Sequence, residues 1–167
     1  MRPLFLYFLG WCVHILGAEV WNRIAAIRAS EMSDEDDDGE ESEEFKPIEV
    51  TELNRGGQTP LTSTLTHIKP HVADKIVEFA SGWCESLGEI ENQLGPWLYS
   101  LLARLEKPLH PDVLSSLRTI ALTASKERTR ICLTSDGQDQ GHMAKVTTLS
   151  LLICLVAKYF GQSDLSD

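Results

Sequence analysis

No stretch of this chain alternates apolar and polar side chains over the length of a strand, so nothing in it asks for a sheet. Its four cysteines, Cys12, Cys84, Cys132 and Cys154, stand far apart without a C-x-x-C pair. That spacing excludes a zinc ribbon and a dense disulfide framework, and leaves the thiols as buried or idle side chains of a reducing compartment. There is no Asn-x-Ser/Thr sequon, no glycine-rich phosphate loop, no G-x-S-x-G and no H-E-x-x-H. His67 and His71 have the spacing of two ligands on one helical turn, but Pro70 between them breaks that turn, so they read as surface histidines. No catalytic residue, metal ligand, cofactor or cofactor-binding residue is therefore assigned, and no enzymatic activity is expected.

Evenly spread charge is lacking too. The formal net charge is -10, yet ten of the 25 acidic side chains fall between Glu31 and Glu44, where no basic residue stands. The remaining acids match the 15 bases, so general attraction to nucleic acid or to an anionic membrane is not expected. The run Ser33 to Glu44 repels itself and buries nothing, which predicts a disordered linker. Ser33, followed by Asp34, Glu35 and Asp36, is a candidate acidic-directed phosphorylation site.

What the chain does have is helical periodicity. Near the C-terminus, Val146, Leu149, Leu152, Ile153, Val156, Tyr159 and Phe160 recur at three- and four-residue steps, while Leu151, Cys154, Leu155 and Ala157 make the other sides apolar as well. A helix apolar on nearly every side is one that neighbours surround, which predicts a central helix. The apolar run is shorter than the roughly 20 residues a bilayer span needs, so no membrane crossing is expected. Gly161 supplies a left-handed stop and Lys158 a cation for the last turn.

Upstream, Leu65, Ile68, Val72, Ile76, Phe79 and Trp83 lie on one stripe, divided by Pro70 into a short and a longer helix. Gly95-Pro96 opens the next helix, whose face is Leu94, Trp97, Leu98, Leu101, Leu102 and Leu105 and which Pro108 ends. Such a face is either core or a partner surface. Pro111 and Asp112 suit the first turn of another helix, striped by Val113, Leu114, Leu117, Ile120, Ala121, Ala124 and Ile131. Residues 135–142 read as a polar loop.

The expected fold is all-α, a bundle of about five helices around a buried C-terminal helix. The expected division is an atypical apolar N-terminus at 1–20, a short helix at 21–32, the acidic linker at 33–59 and a helical domain at 60–167. Met1 to Ala18 also has the outline of a signal peptide, although Leu16 stands where cleavage wants a small residue, and secretion or membrane anchoring is the alternative it raises.

At Leu94 to Leu109 (LGPWLYSLLARLEKPL) and Leu149 to Leu165 (LSLLICLVAKYFGQSDL) the chain resembles the gem-associated protein 2 family, and Pro60 to Trp83 and His110 to Leu133 resemble it more loosely. The resemblance implies an all-helical, non-enzymatic protein of the cytoplasm and nucleus (gems). It implies binding to the survival of motor neuron protein and help in loading Sm proteins onto spliceosomal small nuclear RNAs. Met1 to Val20 does not look like the long N-terminal arm of that family, so a truncated form with weakened hold on Sm proteins is expected. Pro96 stands where the family pattern has a basic residue beside the tryptophan, so no ion pair is carried over there. Together with the surplus of large apolar residues, the resemblance nominates Trp21, Ile24, Trp97, Leu101 and Leu105 as contacts for an amphipathic partner helix.

Overall fold

A computed structural model describes residues 2–32, 46–134 and 140–165, and the chain divides into two compact units, Met1–Thr59 and Pro60–Asp167. All regular structure among the described residues is helical, so the class expected from periodicity is the class observed.

In the first unit, α1 (Arg2–Leu16) and α2 (Ala18–Met32) pack on each other. Between them Gly17 takes φ +90°, and a Cβ built there would come within 2.7 Å of the Gly56 Cα. Left-handed backbone and close approach both require glycine at this corner. The segment after the acidic run is irregular, as its glycines suggest, but it is pinned. Trp21 Nε1 donates to the Lys46 carbonyl at 3.1 Å, and the Ala18 and Gln58 amides donate to Asn54 and His14 carbonyls at 2.7 and 2.8 Å. The Asn22 side chain donates to the Ile48 carbonyl and accepts from its amide, both at 2.9 Å. Cys12, Ile15, Leu16 and Ala18 are buried, so the second half of the apolar N-terminal run is interior. These side chains pack within the first unit, and no observation here supports the secretory reading.

The second unit holds α3 (Thr62–His67), α4 (Pro70–Leu87), α5 (Leu94–Leu102), α6 (Pro111–Thr134) and α7 (Gln140–Cys154). α7 runs on as a π-helical turn, Leu155–Tyr159, and a short 3-10 turn follows at Ser163–Leu165. Pro70 and Pro111 each open a helix, where a missing amide hydrogen leaves no bond unmade, and Gly161 ends the last one at φ +79°. His67 and His71 are both exposed, on either side of the break at Pro70.

Two expectations are corrected. The helix at the centre is α6, 24 residues long, which packs along α4 and α7 and reaches the π-helical turn. α7 is covered on one side only: Leu149, Leu152, Ile153, Val156 and Ala157 are buried, while Met143, Thr147, Leu151, Cys154 and Lys158 form an outward stripe. An apolar circumference reads the same whether neighbours cover it or one side stays open, so periodicity alone places such a helix too deep. The second correction concerns ends. α5 stops at Leu102 rather than at Pro108, with Leu105 buried from the turn beyond it and the Arg104 guanidinium donating to the Ile68 carbonyl at 3.1 Å. α7 begins at Gln140, inside the stretch expected to be loop.

Gln140–Tyr159 is the one helical run among the described residues long and apolar enough, by length and composition, to cross a membrane. Its inner face packs into the helical unit, while its outer face is exposed.

Candidate partner-binding surface

The five nominated contact residues are interior side chains. Trp21 and Ile24 lie in the first unit at 0% and 1% exposure. Trp97, Leu101 and Leu105 lie in the second, at 0%, 0% and 5%. A helix docking on the closed molecule meets the neighbours of these side chains rather than the side chains themselves. The physical reason is that a core wants the same large apolar residues as an interface anchor, at the same helical spacing. Ser33 lies outside the described residues.

The large apolar side chains exposed in the second unit are Leu61 just before α3, Tyr99 on α5, Leu122 and Leu133 on α6, Met143 and Leu151 on α7, and Tyr159 in the π-helical turn. Leu122 and Leu133 fall off the α6 stripe, in which Val113, Leu117, Ile120, Ala121, Ala124 and Ile131 are buried and Leu114 is half-buried. Met143 and Leu151 carried no such signal, because α7 is apolar on every side.

Several contacts hold this surface in shape. α5 meets α7 at Gly95, where a Cβ would stand 2.8 Å from the Thr148 Cγ2. The Lys107 ammonium sits 3.9 Å from the Tyr159 ring centroid and donates to the Tyr159 carbonyl, and Tyr159 meets Phe160 edge-on at 4.9 Å. Gln162 Nε2 donates to the Leu114 carbonyl at 2.8 Å, and Arg118 donates to Asp164 at 2.6 Å. That hydrogen bond holds the Asp164 carboxyl below the usual carboxylate range, and the pair ties the C-terminal turn to α6. Burial pushes the Cys84 thiol up to about 12, with Glu127 and Glu85 adding to the shift, so this cysteine is protonated and inert. Among the described residues no group of histidine, cysteine and carboxylate side chains stands close enough together to hold a metal ion.

Over residues 10–163 the chain matches the family described as Survival motor neuron (SMN) interacting protein 1 (SIP1). It belongs to that family. Among its relatives is gem-associated protein 2 of Mus musculus, 36% identical over 131 residues, a match covering 77% of this chain and 44% of the mouse protein. The Xenopus laevis protein of the same name is 36% identical over 111 residues, covering 66% of this chain and 40% of the relative. That of Drosophila melanogaster is 30% identical over 115 residues, covering 66% and 44%. The chain thus spans less than half the length of these relatives. In the solved structure "The 8S snRNP Assembly Intermediate" one chain shares its fold, with a TM-score of 0.52 and 22% identity over 98% of this chain and 73% of that one. The family match begins at residue 10, within α1, so the second half of that helix belongs to the family although its sequence did not suggest it.

Proposed function

We propose that this SIP1-family chain is a non-enzymatic scaffold of the survival of motor neuron complex, working in the cytoplasm and nucleus. It binds the survival of motor neuron protein and assists the assembly of Sm proteins onto spliceosomal small nuclear RNA. The observation that carries this reading is the family match over residues 10–163, since the family is described by that very interaction. The partner is taken up as an amphipathic helix, and the outward stripe of α7, with Met143 and Leu151, is the apolar face offered to it. Trp97 and Leu101 lie in the core of the same unit, supporting that surface rather than touching the partner.

Co-purification with the N-terminal region of the survival of motor neuron protein tests the reading. Binding is expected, and its absence at roughly tens of micromolar rejects the scaffold role. Leu151→Asp, at a half-exposed position, should weaken that binding by about tenfold or more while leaving the thermal transition in place. Full affinity in this variant would move the contact off α7.

A further inference from the structure

Glu127, in the third quarter of α6, is the one charged side chain buried among the described residues, at 2% exposure. Its Oε2 accepts a hydrogen bond from the Ile90 amide at 2.6 Å. Its Oε1 has no aligned hydrogen-bond donor among the described residues but lies 2.5 Å from the Lys145 Nζ on α7, so charge attraction makes the tie there. Arg130 stands further off, 3.9 Å from Glu127 and 3.7 Å from Glu89. One carboxylate therefore joins three elements: α6, the connection between α4 and α5, and the start of α7.

Stability alone is a poor reason for such a pair. Desolvating both charges offsets most of their attraction, and an apolar pair of the same volume often serves as well or better, whereas removing one partner strands a buried charge. The surroundings suggest what the pair is for. From Gln140 to Thr148 α7 has no buried residue, the first being Leu149. A cavity of about 270 Å³, lined by Ile90, Asn92, Gly95, Ala144, Lys145 and Thr148, separates this half of the helix from the α4–α5 connection. Glu91 also faces the cavity. The first half of α7 is fastened by half-buried Val146, by Thr148 against Gly95 and by the ion pair, with no fully buried side chain, while the second half is held by Leu149, Leu152, Ile153, Val156 and Ala157.

We propose that Glu127 and Lys145 form a latch: closed, it holds the first half of α7 and the α4–α5 connection on α6, and released, it lets that half open while the rest of the unit stays folded. Local opening of a weakly packed segment below the energy of global unfolding is the ordinary behaviour of such regions. Opening would widen this solvent-facing pocket along residues 140–148. The latch is independent of the partner proposed above, since it rests on contacts within one unit.

Native-state amide hydrogen exchange on the full chain tests it. Glu127→Gln keeps an acceptor for the Ile90 amide and abolishes the charge pair, and Lys145, part-exposed, can turn to water. Protection at residues 144–148 should then fall about tenfold or more, with 90–94 and the α6 centre at 120–124 unchanged. Lys145→Met strands the carboxylate and should expose 90–94 as well. Unchanged protection at 144–148 in Glu127→Gln overturns the latch, and so does an equal loss at 120–124, which would mean that the pair stabilises the whole unit rather than one segment.

Discussion

A single absent methyl sets how close α5 comes to α7. Gly95 is buried, and its missing Cβ would stand 2.8 Å from the Cγ2 of Thr148, a β-branched side chain with little freedom to turn away. Two effects compete in Gly95→Ala. Replacing a helical glycine gains about 1 kcal/mol of propensity, while forcing a methyl into a closed contact costs about 1–3 kcal/mol. The contact should win, giving a net loss of about 1 kcal/mol in denaturant unfolding. Thr148→Ser removes the clashing methyl and keeps the hydroxyl that donates to the Ala144 carbonyl, so the double variant should recover most of the loss. If Gly95→Ala alone were stabilising, propensity rather than the clash would govern this site.

Among the elements, the irregular segment 46–58 shows how a stretch without regular structure is kept in place. Its backbone is read by side chains and helix ends of the first unit, and the Asn22 amide pairs with Ile48 in both directions, as a neighbouring strand would. Asn22→Ala removes both bonds, at about 0.5–1.5 kcal/mol each, and leaves the Ile48 groups part-buried. The Ile48 amide should exchange about tenfold faster or more in this variant, while Trp21 Nε1, bonded independently to Lys46, keeps its protection. Unaltered exchange at Ile48 would show that the segment is held by its other bonds alone. α7 makes the complementary point, since its regular structure is complete while its packing is one-sided.

At the scale of the whole molecule, the matched stretch can be set against the rest of its relatives. The chain covers 44% of the mouse relative, so any contact that relatives make outside the matched stretch is one this chain does not supply through that stretch. If relatives hold Sm proteins at two tethered contacts and one of them lies outside the matched stretch, that stretch alone lacks an effective-concentration gain of roughly 10² to 10⁴ fold. Under the proposed function, residues 10–163 alone should then bind a preformed Sm pentamer more weakly than a whole relative does, by a factor of that order. Titrating the pentamer against both proteins measures this, and equal affinities would show that the helical units alone hold the Sm proteins.

Much of this architecture is local and therefore legible in one dimension. Pro70, Pro111 and Gly161 punctuate the helices where a fixed φ, a missing amide hydrogen or a left-handed residue acts on its own neighbours, and the stripe of α6 names its buried face because a 3.6-residue period needs no partner to be seen. The family, too, was visible in the residues of α5 and the last helix. Other features depend on what stands opposite, and only the folded chain decided them. Trp21, Ile24, Trp97, Leu101 and Leu105 are core rather than surface, and α6 rather than α7 is central, because an apolar side chain has the same chemistry whether its neighbour is the same chain or a partner. Glu127 gave no sign of burial, since a glutamate in a polar stretch of helix reads as solvated until a lysine on another helix and an amide from a third segment are brought to it.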